Sequence, residues 1–222
     1  MLTAMLEFKL MRRVIYVIRP MEQDDIPQVA RIDQEAFPDE WMFRLQSSYK
    51  RDLDSPSMRY VVACVNNGDV SKPSGERMRK LPWFRQVLNY GNCLDSSEYI
   101  VGFAGFWMIL HEAHIIAIAT TNDYRRIGIG EGLLISAIEL AALLNANVVT
   151  LEVRASNKIA QALYNKYGFQ VVGRRVKYYS SDGEDALIMS TDNIGSDSFQ
   201  ACFQQLKKSY AKIHREILTK VV

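Results

Sequence analysis

Tyr124-Arg125-Arg126-Ile127-Gly128-Ile129-Gly130-Glu131-Gly132 is the stretch whose reading decides the fold. An apolar run, Ile115 to Ala119, precedes it, and an amphipathic segment, Leu133 to Leu144, follows. The order is strand, basic glycine-rich turn, helix. Glycine has no Cβ, so the backbone at Gly128 and Gly130 can come close to a bulky ligand. The first N–H groups of a helix lack partners inside it, and the helix dipole makes that end positive. Arg125 and Arg126 add full charge and forked donors. The sum is a site for a phosphate or pyrophosphate, set against the plainer reading of a basic turn that opens a core helix.

Two common phosphate motifs do not fit. A dinucleotide site needs G-x-G-x-x-G and an acid about 20 positions on. Gly128, Gly130 and Glu152 suit that pattern, but Leu133 stands where the third glycine belongs. A P-loop needs Gly-Lys, and this chain has no such dipeptide. Arg125-x-x-Gly128-x-Gly130 instead resembles the pyrophosphate loop of the GCN5-related N-acetyltransferases. Leu151-Glu152-Val153-Arg154-Ala155-Ser156-Asn157 and Ala162-Leu163-Tyr164-Asn165-Lys166-Tyr167-Gly168-Phe169 resemble two further segments of that family. Tyr178-Tyr179, followed by Asp182-Gly183-Glu184-Asp185-Ala186, resembles a narrower signature. It is shared by the RimI-type ribosomal-protein-alanine acetyltransferases and related protein N-terminal acetyltransferases. The likeness runs from about Val14 to Met189.

Bulk properties agree with a folded enzyme. The 222 residues suit one large domain with extensions, and 48% hydrophobic content suffices for a core. A net charge of +2 argues neither for nor against nucleic acid, and no direct nucleic-acid partner is expected. Cys64, Cys93 and Cys202 are scattered and odd in number, without C-x-x-C, so they read as ordinary thiols in a reducing cytoplasm. His111-Glu112-Ala113-His114 is not H-E-x-x-H, and no metal is expected. No apolar run reaches membrane-spanning length. The start, Met1 to Leu10, lacks a basic n-region and a cleavage site, and Arg19 and Pro20 cut short the apolar run after Arg12-Arg13. Met11 is a second candidate start, so residues 1–11 are expected to be an extension of a domain spanning 12–191.

Along the chain, Val14 to Ile18 reads as a strand, Glu22 to Phe37 as a helix ended by Pro38, Asp39 to Asp52 as a second helix, and Arg59 to Val65 as a strand. Residues 66–97 are rich in turn formers and basic side chains and read as an insertion, either a solvated loop or a flap that docks a partner or covers substrate. Glu98 to Leu110 and His114 to Thr120 follow as strands, and Asn147 to Val153 as a short buried one. Ile159, Ala160, Leu163, Tyr164 and Tyr167 mark one face of the next helix; Phe169 to Gly173 and Glu184 to Met189 are closing strands. Residues 192–222 form a helical extension with a heptad-like stripe through Phe199, Phe203, Leu206, Tyr210, Ile213 and Ile217. It packs on the chain's own sheet, dimerises, or docks on an acidic partner such as a ribosome surface. The alternation predicts an α/β fold. The resemblance specifies a GNAT fold, with a mixed, mostly antiparallel central sheet flanked by helices.

Acetyl transfer to an amine needs a neutral amine, a polarised thioester carbonyl and a proton for the leaving thiolate. An α-amine, with a pKa of about 7.7–8.0, loses its proton near neutrality far more readily than lysine at about 10.4. Glu152, on an apolar strand, is the candidate base; partial burial is expected to raise its pKa, and the matching glutamate has this role in RimI-type enzymes. The alternative is a structural ion pair with Arg154 or Arg126. Tyr164 is the candidate acid, or else a core tyrosine with its hydroxyl tied off. Asn157 is placed to cap its helix, and the resemblance adds a contact to acetyl-coenzyme A. The resemblance also assigns cofactor contacts to the backbone of Ile118, Ala119 and Thr120, which would polarise the carbonyl, and to Arg125, Arg126, Ile127, Gly128, Ile129, Gly130 and Glu131. The family often has Val-x-Pro after that strand; here Thr120-Thr121-Asn122 stands instead. Phe37, Trp41, Tyr178 and Tyr179 are expected to grip the first residues of a peptide, although the tyrosines could equally pack on a sheet face.

These residues imply an acetyl-coenzyme A-dependent N-α-acetyltransferase of a protein N-terminus, with the N-terminal alanine of ribosomal protein S18 as the family's usual target. Transfer to lysine or a small amine, and a non-catalytic acetyl-coenzyme A-binding module, are the alternatives. Monomer and dimer are both open.

Overall fold

The computed structural model describes residues 16–38, 46–66 and 98–219. The expected strand start at Val14, the first part of the second helix with Trp41, nearly all of the 66–97 insertion with Cys93, and the N-terminal extension lie outside them.

Seven strands form one sheet among the described residues: β1 (Tyr16–Pro20), β2 (Met58–Asn66), β3 (Glu98–Ile109), β4 (Glu112–Thr120), β5 (Val148–Arg154), β6 (Gln170–Tyr179) and β7 (Glu184–Ser190). Their spatial order is β1-β2-β3-β4-β5-β7-β6. All neighbours are antiparallel except β4 and β5. The expected mixed, mostly antiparallel sheet is present.

β2 shows how the sheet buries both faces. Val61, Ala63 and Val65 join one core cluster, while Tyr60, Val62 and Cys64 join the other. That is the period-two alternation of a strand covered on both sides. On the second face lie α1 (Ile26–Ala36), entered through a 3-10 turn at Gln23–Asp25, and α2 (Gln46–Leu53). Val29, Ile32 and Tyr49 bury themselves there. Arg19 on β1 anchors the entry to α1 with a fork to Asp25, at 2.6 and 2.8 Å, and a bond to Glu98 on β3 at 2.9 Å.

On the first face lies α3 (Ile129–Leu143), packed across β1 to β4. It is apolar nearly all round; Leu133, Leu134 and Ile138 are fully buried, each worth roughly 1.5–3 kcal/mol. The helix begins at Ile129, four residues before the expected Leu133, because the loop glycines themselves form its first turn. α4 (Lys158–Lys166) and α5 (Asp197–Thr219) share this face. On α4 the expected apolar face is incomplete: Ile159 is 67% exposed, and Gln161 is buried instead. Gln161 donates to the carbonyls of Arg154 and Ala155, fastening the helix to the end of β5.

α5 meets Tyr167 after α4, Glu139 on α3 and Tyr16 on β1. Phe203 is buried and stacks edge-on against Tyr167, Lys207 pairs with Glu139 of α3, and Tyr210 touches Tyr16 of β1. β6 continues through Tyr178 and Tyr179 rather than ending at Gly173. No helix among the described residues is long and apolar enough to cross a membrane.

Candidate active site

β4 and β5 pair over only four residues, Glu112 to Ile115 against Val148 to Leu151. Beyond Ile115 and Leu151 the two strands part. A cleft of about 310 Å³ opens there, lined by His114, Ile118, Glu152, Asn157, Tyr164 and Tyr178 among others. Its walls are Ala36 and Phe37 at the end of α1, the diverging strands, the start of α4, and the end of β6.

Glu152 sits on β5 at the point of divergence. Its side chain is 10% exposed, and its two oxygens take separate partners: His114 Nε2 at 2.8 Å and the Arg175 guanidinium at 3.0 Å. The hydrogen bond from His114 leads in holding the carboxyl below its usual range; burial opposes this, and the charges of His114 and Arg175 reinforce it. The expected upward shift is therefore wrong, because the cationic partners outweigh desolvation. The anticipated pairing with Arg154 or Arg126 is not formed either. Arg154, two residues along the same strand face, reaches Asp182 at 2.8 Å and Glu184 at 3.0 Å.

His114 and Arg175 were missed by the sequence reading. His114 had been weighed only as a metal ligand; among the described residues no group of three potential ligands is gathered. The signal was present, however. Glu112-x-His114 and Thr150-x-Glu152 place polar residues at alternate positions of two otherwise apolar strands, and alternate positions share a face.

Tyr164 lines the cleft from α4, half-buried, with its ring 5.7 Å from that of Phe169. Burial alone pushes its phenol up to about 12, so it is protonated throughout the neutral range. Its hydroxyl has no hydrogen-bond partner among the described residues, unlike a tied-off core tyrosine. Asn157 caps α4, its Oδ1 accepting from the Ala160 N–H at 3.1 Å, while it also lines the cleft.

Tyr178 and Tyr179 are adjacent, and on a regular strand they would face opposite sides. A bulge between Arg175 and Tyr179, with Lys177 at φ 52° and its N–H bonded to Asp185 at 2.7 Å, re-aims them. Both line the cleft, edge to face with centroids 5.2 Å apart. Arg154 lies 3.9 Å from the Tyr179 ring centre and holds it by a cation–π contact. Phe37 belongs to the cleft wall and also to an adjoining hollow with Arg154, Ser156, Asp182 and Glu184.

The glycine loop connects β4 to α3 at the other end of the cleft. Gly128 is the N-cap of α3 at φ 92°, a left-handed conformation that favours glycine. The first intrahelical bond runs from the Gly132 N–H to the Gly128 carbonyl. The N–H groups of Ile129, Gly130 and Glu131 thus lack helical partners. A Cβ on Gly130 would meet only Thr120 Oγ1, at 3.8 Å, so the space over this turn is open. Arg125 is held across the loop mouth by its bond to the Thr120 carbonyl, 3.3 Å. Arg126 takes φ 66°, and Ile127 packs against the core. The Glu131 side chain turns away, accepting from Lys166 and Tyr167, both at 2.6 Å. Thr121 Oγ1 is buried without a partner among the described residues. Ile118 lines the cleft, and Ala119 is buried beside it. This geometry fits a pyrophosphate on the α3 N-terminus and a thioester arm running along β4 into the cleft.

The sequence pattern of the acetyltransferase (GNAT) family matches residues 72–169. A Bacillus subtilis (strain 168) protein, named as an alanine N-acetyltransferase of ribosomal protein bS18, is 32% identical over 172 residues, covering 78% of this chain and 92% of its own. A Sulfolobus acidocaldarius N-alpha-acetyltransferase is 28% identical over 189 residues, covering 81% of this chain and 94% of its own. The crystal structure of the Escherichia coli ribosomal-protein-S18-alanine N-acetyltransferase shares the fold with a TM-score of 0.59 at 24% identity, covering 82% of this chain and 97% of that one. The chain therefore belongs to the GNAT family and is an N-acetyltransferase.

Proposed function

We propose that this enzyme transfers the acetyl group of acetyl-coenzyme A to the α-amine of a protein N-terminus, with the N-terminal alanine of ribosomal protein bS18 as its substrate. The observation that carries this reading is the cleft between the parted strands. There an ionised Glu152, backed by His114, and a protonated Tyr164 line the same space, with Tyr178 and Tyr179 at its mouth. The names of the relatives support the substrate class.

Acetyl-coenzyme A supplies the activated acetyl group. The α3 N-terminus, with Arg125, Arg126 and the N–H groups from Ile127 to Glu131, holds its pyrophosphate, and Asn157 holds the arm. The backbone of Ile118, Ala119 and Thr120 aims donors at the thioester carbonyl, where fixed dipoles need no reorganisation. Glu152 orients the amine and accepts its proton; an α-amine needs only a mild acceptor, being about one pKa unit from neutrality. Tyr164 returns a proton to the departing sulfur. Phe37, Tyr178 and Tyr179 enclose the first residues of the peptide. The insertion 66–97 and the extension 192–222 are additions to the catalytic domain at 12–191.

Thiol release from acetyl-coenzyme A with two peptides tests the reading. One has a free N-terminal alanine and no lysine; the other has a blocked N-terminus and one internal lysine. Turnover on the first alone is expected. Turnover on the second alone would replace α-amine by lysine specificity. No turnover on either, with the cofactor bound, would leave a small-amine substrate or a binding module.

A further inference from the structure

Behind Glu152, the hydrogen bonds continue away from the cleft. His114 Nδ1 lies 2.9 Å from Thr150 Oγ1, and Thr150 Oγ1 donates to Glu112 Oε1 at 2.5 Å. Glu112 and His114 are two apart on β4, Thr150 and Glu152 two apart on β5, and His114 pairs with Thr150 across the parallel ladder. The four side chains therefore stand on one sheet face as an unbroken chain. Thr150 is buried, while Glu112 is half-buried at the strand end. The reaction as written above uses neither.

We propose that Glu112 and Thr150 are positioning residues of a proton relay that empties the His114–Glu152 pair as the amine delivers its proton. The proposal rests on the assignment of Glu152 as proton acceptor.

The direction of each bond follows from what each group can do. A carboxylate only accepts, so the Thr150 hydroxyl proton points to Glu112. Thr150 Oγ1 then offers His114 lone pairs alone, and Nδ1 must carry a proton. Nε2 faces a Glu152 carboxylate that Arg175 also holds, so Nε2 carries a proton too. His114 is an imidazolium in this arrangement and cannot accept a further proton. It also makes Glu152 a weaker acceptor than a carboxylate facing a neutral ring.

A shift along the chain removes that obstacle. The amine N–H bond breaks and an O–H bond forms on Glu152. In step, the Nδ1–H bond breaks as Thr150 Oγ1 gains that proton, and the original Thr150 proton passes to Glu112. Glu152 is now protonated beside a neutral imidazole, whose Nε2–H still donates to it, and Thr150 donates back to Nδ1. One proton enters at Glu152 and one leaves at Glu112, which returns it to water. The net charge of the four groups rises by one as the amine proton enters and returns to its starting value on that last release.

Other groups near His114 do not substitute for this exit. β3 presents Trp107 opposite it, β6 presents Arg175 and Tyr178, β5 presents Arg154, and α4 presents Tyr164. The arginines do not take up protons near neutrality, Trp107 has no basic group, and Tyr164 is protonated.

The test compares kcat/KM between pH 6.5 and 9.5 for the wild type, Thr150→Val, Thr150→Ser and Glu112→Gln, using a peptide that the wild type acetylates. Without the relay, the enzyme depends on amine already deprotonated in solution. That is about a tenth of an α-amine at pH 7 and nearly all of it above pH 9. Thr150→Val and Glu112→Gln are therefore expected to lose about tenfold at pH 7 relative to pH 9, compared with the wild type, and Thr150→Ser to restore the profile. Glu112→Gln retains an acceptor for Thr150 and so keeps the geometry while losing the basic site. A drop of equal size at every pH would assign both residues a structural role and overturn the proposal, as would an unchanged profile in both variants. Wild-type failure on every amine peptide would instead overturn the functional reading beneath it.

Discussion

The hydroxyl of Tyr210 stands directly over the Cα of Gly132, in the space a side chain at position 132 would fill. Tyr210 lies beyond the middle of α5, and Gly132 lies in the first turn of α3. The C-terminal helix thus reaches the element that the glycine loop opens, and the same hydroxyl lies 3.4 Å from the Gly128 carbonyl.

Gly132→Ala should therefore destabilise the protein. The new methyl would collide with Tyr210 and press on Ile18 Cδ1 at 3.0 Å, and overpacking of this kind costs about 1–3 kcal/mol. Removing the hydroxyl with Tyr210→Phe should recover part of the loss. A double-mutant cycle by thermal denaturation measures it; additivity of the two substitutions would mean that the contact has no energetic weight.

Glu152→Gln should lower kcat by about 10²-fold while acetyl-coenzyme A affinity stays within about twofold, because the proposed role of the carboxylate is toward the amine and not the cofactor. Steady-state kinetics with calorimetric titration of the cofactor separate the two effects. Lost affinity at unchanged kcat would make Glu152 a purely structural partner of His114 and Arg175.

Tyr164→Phe should also lower kcat with little change in cofactor affinity. Burial raises the phenol to about 12, so the acid form persists below that pH. Its titration therefore adds no alkaline limb to the wild-type profile below about pH 11. A wild-type limb near pH 10 that vanishes in the phenylalanine variant would show a phenol at its ordinary value, and an unchanged kcat in that variant would refute its role as the acid.

The tip of the β6–β7 hairpin should loosen in acid. The Glu184 N–H and Arg154 hold Asp182 below its ordinary value, and Ser156 and Arg154 do the same for Glu184. Groups with depressed folded values contribute stability that is complete above the unfolded values and is lost as pH falls through the folded ones. Protection factors for amide exchange at residues 178–186, which remove the intrinsic pH dependence of the rates, should fall below about pH 4, and Arg154→Ala should remove that fall. Protection indifferent to pH from 3 to 6 would contradict the pairing.

Much of the fold was legible because it is written in local terms. Continuous apolar runs marked β2 and β4, and Asn157 announced its own cap. What failed was whatever depends on a partner distant in sequence. The apolar period points to Leu133 for a helix that begins at Ile129, since that period alone does not reveal that loop glycines have helical dihedrals. Ile159 was assigned to a buried face because it is apolar, although nothing covers it among the described residues.

The sequence by itself determined the strand–glycine turn–helix unit and the α/β class, because backbone preference and side-chain periodicity act over a few neighbours; the resemblance of its motifs to those of the GNAT family singled out Glu152, Tyr164, Tyr178 and Tyr179, which line the cleft. The tertiary structure alone decided whom Glu152 meets. Arg154 and Lys158 are the nearest cations along the chain, yet His114 and Arg175 hold it, because strand register and the β6 bulge carry those two side chains to within about 3 Å. Coulomb attraction depends on distance through space, and only the assembled sheet sets that distance.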